Sequence, residues 1–249
     1  ERDSKDTTYK FALLKGTIEL IQDYHHFLTI KKDVVEIPLG LLVEKWMFYY
    51  YPIISSNLKQ KKGEKEAGFT ISFRKTFREV IKHYTNIGGF SVFYNEYMND
   101  LIPNNIKPNV LKLISELRKT LINLPMRYIG NSYFKKNYSI FHPHNNSSRI
   151  KDVNRKTIIE NSGTFSIPKD FYKSFYYLGS ILTGQDSLLL KWADFTVKLY
   201  KDQTVSHKEV LDLLLTTPTD KRKVEDVKRL YSEYKKNLFC TWSSEKLNS

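Results

Sequence analysis

His142, Pro143, His144, Asn145 and Asn146 form the densest run of side chains able to ligate a metal or move a proton. Two histidines and two asparagines so close together could make a metal site. Pro143, however, keeps a regular hairpin from presenting both imidazoles, and no carboxylate follows until Asp152, so the run reads as a polar loop. His25 and His26 close a helix, where an imidazolium is favoured by the carbonyl end, so capping accounts for them. His83 and His207 have no partner in sequence. Glu64 and Glu66 fall in what reads as a mobile loop and fix no acid–base pair. No Walker A loop, glycine-rich dinucleotide loop or serine nucleophile elbow is present, which argues against ATP-driven and cofactor-dependent chemistry. No metal site and no catalytic residue is expected within these residues.

The charged side chains carry more. Lys and Arg number 40 against 27 acidic residues, a net charge of +13. An excess of that size draws polyanions by long-range attraction and counterion release. It is also clustered. Lys59, Lys61, Lys62 and Lys65 share one loop; Arg149, Lys151, Arg155 and Lys156 share a second segment with Asn145, Asn146, Ser147 and Ser148. Lys221, Arg222, Lys223, Lys228 and Arg229 fall on one helix near the end. Cations mixed with short polar groups suit phosphate contacts, which position a duplex without reading its bases. The candidate nucleic-acid-binding residues are therefore Lys61, Lys62, Arg149, Lys151, Arg155, Lys156, Lys221, Arg222, Lys223 and Arg229, with double-stranded DNA as the expected partner. Trp46, Tyr49, Tyr50, Tyr51, Tyr176 and Tyr177 could stack on bases, but their helical spacing reads mainly as core.

Hydrophobic residues make up 41% of the chain and aromatics 14%, enough for a packed core, and one cysteine excludes an internal disulfide framework. With no signal-like opening and no apolar run of membrane-spanning length, the chain reads as soluble and cytoplasmic. The periodicity predicts a helix from Thr7 or Thr8 to Tyr24, buried through Phe11, Leu14, Ile18 and Ile21. A short strand at Asp33–Ile37 follows, then a helix opened by Pro38 and ended before Pro52. Further helices are expected at Ile71–Tyr84, Phe90–Leu101, from Pro108, from Pro168, and at Leu188–Tyr200, Lys208–Leu215 and Asp220–Lys236. Alternation at Tyr138–Phe141 and Thr164–Ile167 predicts a small β element around a polar loop, His142–Lys156. The expected fold is mainly α with a minor β element, a multi-helix scaffold of two helical parts, 1–126 and 127–236.

Residues 237–249 are a third part. Phe239-Cys-Thr-Trp-Ser-Ser-Glu-Lys-Leu247 resembles the strand that opens the ββα-metal finger of HNH endonucleases, with Ser244 and Glu245 where glycine and lysine are usual. Asp6–Lys15, Val43–Ile54 and the Ile167–Thr196 block resemble other stretches of bacterial proteins of that family. The resemblance implies a restriction-type endonuclease, acting against foreign DNA, that hydrolyses phosphodiester bonds with Mg²⁺ or a similar divalent metal. The finger's Asp-His pair and its later Asn and His have no counterpart here. The expectation is a chain truncated before its catalytic finger, one that binds DNA without cutting it. The alternative is a non-enzymatic module for nucleic acid or protein.

Overall fold

The computed structural model describes residues 6–65, 69–129, 139–144, 146–183, 188–200 and 204–218. The chain divides into two units, Glu1–Thr217 and Pro218–Ser249. Beyond Pro218 the second unit lies outside the described residues, and with it the expected helix at 220–236 and the finger-like segment at 237–249. The first unit is mainly helical with a small antiparallel sheet, in agreement with the fold class read from the sequence. The expected boundary at 126/127 falls inside this unit rather than at its edge.

In chain order the elements are α1 (Tyr9–Asp23), a 3₁₀ turn (His25–Phe27), β1 (Thr29–Ile30), β2 (Val34–Pro38), α2 (Leu39–Ser55), α3 (Arg74–Tyr84), α4 (Gly89–Met98), α5 (Lys107–Asn123) and α6 (Pro125–Tyr128). They continue with β3 (His142–Pro143), α7 (Arg155–Asn161), β4 (Thr164–Pro168), α8 (Lys169–Thr183), α9 (Leu188–Val197) and α10 (His207–Leu214). The sheet runs β1-β2-β4-β3, all antiparallel. Its centre pairs Val35 with Ile167 and Ile37 with Phe165, four fully buried side chains, so strands far apart in sequence close the two halves onto one core. None of the helices among the described residues is long and apolar enough to cross a membrane.

The middle of this unit is α2. Fourteen of its 17 residues are buried, so it is apolar on nearly every side, as a helix packed all round must be. Tyr50 packs edge to face on Trp46 and on Phe73, and Trp46 and Phe73 are tilted against each other, with ring centroids 5.0–6.1 Å apart. The helix does not stop before Pro52, as expected, but runs through it to Ser55. Proline removes one hydrogen bond and costs about 3 kcal/mol, but Ile53 and Ile54 beyond it are buried. Two such side chains recover roughly 1.5–3 kcal/mol each.

Thr8 stands at the N-cap of α1 without capping it through its side chain. Its hydroxyl instead shares a 2.9 Å hydrogen bond with the Tyr50 hydroxyl, tying α1 to α2. A second tie is Glu19, which accepts from Lys45 at 2.9 Å and Tyr49 at 2.5 Å and pairs with Lys15. Burial pushes the Glu19 carboxyl up, but Lys15 and Lys45 outweigh it and hold the net value below the usual 4.5. A depressed carboxylate stabilises the fold above its unfolded pKa and loses that contribution as the pH falls through its folded value. Glu19→Gln is therefore expected to lower the thermal midpoint at neutral pH. The gap to wild type should close below about pH 4.5, and a gap that stays constant down to strong acid would remove this role from Glu19.

Candidate nucleic-acid interface

The lysine-rich stretch after α2 is a built structure, in contrast to the mobile loop expected from sequence. Gln60 is fully buried and accepts from the Trp192 indole at 2.9 Å, while its amide donates to Thr196 at 3.3 Å. This pins the loop to α9. Glu64, also buried, accepts the backbone N–H groups of Gln60 at 2.6 Å and Lys61 at 3.1 Å. Its other oxygen lies 2.7 Å from Nε of Arg74. Two N–H groups and one guanidinium thus compensate a carboxylate that burial would otherwise penalise. Burial draws the Arg74 pKa down from its usual value, against the opposing pull of Glu64. Gln60 and Glu64 were missed as structural residues because polarity and lysine content both point to solvent.

Around this frame lies a recess of about 40 Å³, lined by Lys59, Glu64, Lys65, Thr70, Arg74 and Arg78 among others. Arg74 pairs with Glu64 there, which leaves Lys59, Lys65 and Arg78 as the cations not spent on that carboxylate. The space exceeds the roughly 10–15 Å³ that a single water needs, so a phosphate oxygen and its hydration fit. Lys59 rests 4.8 Å over the Tyr200 ring, and exposed Arg78 donates to the Asn57 side chain. The sequence signal for Arg74 and Arg78 was available: two arginines one helical turn apart at the start of α3.

The predicted contact residues fall in different settings. Lys61 pairs with Thr7 in an isolated bridge, and its ammonium sits 3.6 Å over the Phe69 ring. Lys62 reaches Asp6 at 3.3 Å with its side chain 60% exposed, which leaves it largely available to solvent anions. Arg149 and Lys151 are exposed, on a segment braced by a bond from the Ser148 N–H to the Asn161 carbonyl and by the Lys107–Asp152 pair at 3.0 Å. Lys107 holds the Asp152 carboxyl below its usual range. Lys156 is 82% exposed and lies 4.0 Å from Glu160. Lys221, Arg222, Lys223 and Arg229 lie outside the described residues.

Arg155 is the exception. Its Nε and one Nη grip both oxygens of Glu44, at 2.7 and 3.0 Å, and Glu44 is 1% exposed. That fork neutralises a carboxylate inside α2, so the guanidinium is committed to the fold and not to a phosphate. Arg155 meets α2 at Glu44 and the helix ends at Ser55, a rise of about 16 Å at 1.5 Å per residue.

The histidines mostly serve packing. His144 shares a 3.1 Å hydrogen bond with Ser166, and His142–Pro143 form the edge strand β3, although Pro143 argued against a hairpin there. His25 bonds the Tyr172 hydroxyl at 2.8 Å; the capping expected of it is done by the backbone of Tyr24. His207 lies 2.6 Å from Asp194. Trp46, Tyr49, Tyr50 and Tyr51 are core, whereas Tyr176 and Tyr177 are 46% and 74% exposed. Among the described residues no three His, Cys, Asp or Glu side chains converge to hold a metal ion.

Residues 1–214 match the family of a domain of unknown function, DUF8808, and the chain belongs to that family. No curated protein and no solved structure matches it.

Removing Arg155 would leave Glu44 as a buried unpaired charge. Breaking a fully buried pair costs roughly 3–5 kcal/mol; with the guanidinium 22% exposed, Arg155→Ala is expected to cost about 2 kcal/mol in urea unfolding. Lys156→Ala should stay within about 0.5 kcal/mol of wild type. Equal effects at the two positions would contradict the assignment.

Proposed function

We propose that this chain binds duplex DNA, as the scaffold part of a metal-dependent endonuclease of the restriction type. The observation that carries the DNA reading is the recess at the end of α2, where Lys59, Lys65 and Arg78 surround the Arg74–Glu64 pair. Such a concentration of positive charge on a rigid frame matches a backbone phosphate, and a frame fixed in advance loses little entropy on binding. The exposed Lys62, Arg149, Lys151 and Lys156 add charge without base recognition. The overall +13 supplies attraction at a distance.

The nuclease part of the reading rests on residues 239–247 and their likeness to the opening strand of an HNH finger. Cutting would belong to such a finger, with Mg²⁺ or a similar ion. The 249 residues lack its Asp-His pair and later Asn and His, so on this reading they bind plasmid DNA and leave it intact.

Fluorescence anisotropy with a labelled duplex over a salt series tests the binding. Neutralising several phosphates makes log affinity fall linearly with log salt, with a slope of about −0.9 per phosphate. Lys65→Glu with Arg78→Glu is expected to weaken binding about tenfold or more and to flatten the slope by about 1–2. An affinity that ignores salt, or survives both reversals, would overturn the interface and point to a protein partner.

A further inference from the structure

Helix α8 turns one side to the core and leaves aromatic rings in solvent on the other. Its inner side, Tyr172, Phe175 and Gly179, is buried. A Cβ on Gly179 would lie 2.6 Å from the side chains of both Ile18 and Gln22, so α8 lies close against α1. The outer side exposes Phe171, Tyr176, Tyr177 and Leu178. Single exposed apolar side chains are ordinary, but several on one helix mark an interaction site. The rings are braced from behind. The Tyr172 hydroxyl shares a 2.8 Å hydrogen bond with His25, and Tyr172 stacks on Tyr176 with ring centroids 6.1 Å apart. His25 also meets Tyr176 edge-on at 6.3 Å. Tyr177 stands at 86° to Tyr176, 5.2 Å away.

Cations share this flank. Lys173 precedes Tyr176 and Tyr177 by three and four residues, the spacing of neighbours on a helix surface, and Lys169 lies one turn earlier. Lys173 is exposed and makes no ion pair among the described residues. Two acids stand nearby. Asp170 is in the first turn of α8, where the helix N-terminus favours a carboxylate, and Asp33 accepts the Lys169 N–H on its carbonyl at 2.9 Å. Lys32 adjoins Asp33, and His25 and His26 are exposed. Three ammonium groups thus stand against two carboxylates. Asp170, moreover, lies about 10 Å along the axis from Tyr177 at 1.5 Å per residue. The rings therefore have an unspent ammonium one turn away and their nearest acid on the helix two turns away.

We propose that this flank of α8 stacks the bases of an unpaired nucleic-acid strand, with Tyr176 and Tyr177 as the platform and Lys173 and Lys169 on the phosphates. A strand alternates flat rings with phosphates, as the flank alternates tyrosines with lysines. Stacking on tyrosine accepts any base, because every base has a π face. A lipid surface instead sets its charge and its apolar part at different depths. A second copy of the chain brings a further +13, which opposes self-association. The proposal rests on the DNA reading above for the class of partner only: the duplex meets the recess after α2, and the unpaired strand meets α8.

Anisotropy on the full chain, with a labelled oligothymidylate and separately with a blunt duplex, tests it. Tyr177→Ala is expected to weaken oligothymidylate binding roughly five- to a hundredfold, the worth of one stacked base, and Tyr177→Trp to keep it. Lys173→Glu is expected to weaken it with a shallower salt slope. Neither tyrosine variant should change blunt-duplex affinity. Oligothymidylate binding that is absent, or equal in wild type and Tyr177→Ala, overturns the proposal. So does strand binding that only Lys65→Glu with Arg78→Glu removes, which places the strand in the recess. Tyr177-dependent capture by phosphatidylserine vesicles without strand binding also overturns it and gives the face to lipid. Tyr177-dependent strand binding without duplex binding supports the platform and removes the recess; duplex binding alone does the reverse.

Discussion

A Cβ added to Gly40 would lie 2.5 Å from the Ile158 carbonyl oxygen and 2.6 Å from the Ile159 Cα. Helices α2 and α7 therefore meet backbone to backbone in the first turn of α2, where neither partner can swing aside. Interiors are packed too densely to absorb even one extra methyl without displacement. This close approach sets α7 against α2, and its consequences run outward. It brings Arg155 onto Glu44 and places the Arg155 N–H on Asp100. The same helix α2, carried past Pro52 by buried isoleucines, delivers the loop with Glu64 and Gln60 at its other end.

Positive charge has been divided between two uses. Arg74 and Arg155 are spent inside, each on a carboxylate that is itself almost completely buried. Lys62, Lys156, Arg149 and Lys151 stay in solvent. Arginine suits the first role because its planar fork binds a carboxylate in two places and is desolvated at lower cost than an ammonium. Lysine suits the second as a mobile point charge. A net count of cations treats these alike; the structure separates them by whether a buried acid faces each one.

Helix-forming stretches were legible because their apolar spacing is local. The stripes of α1 and α5, the glycine break at Gly88 (φ +124°) and the helix opened after Pro168 all follow from nearest neighbours in sequence. The strand Thr164–Pro168 was legible too, but its main partner was not. It pairs with β2 over a separation of about 130 residues, and no short window contains that information. Helix α7 was not expected: the polar loop read over His142–Lys156 reaches only its first two residues, and just Ile158 and Ile159 mark its buried face. Of the site, the exposed lysines were visible as a cluster. The buried acids Glu44 and Glu64 were not, since their partners come from other elements and their burial opposes their usual preference.

Hydrogen–deuterium exchange of the whole chain, with and without a short duplex at low salt, bears most directly on the central claim that a preformed basic recess meets the phosphate backbone. Slowed exchange is expected at residues 57–65 and 74–78, with weaker protection at 149–156 and little change in α5. Protection confined to other surfaces, or none at a duplex concentration that saturates binding, would contradict it.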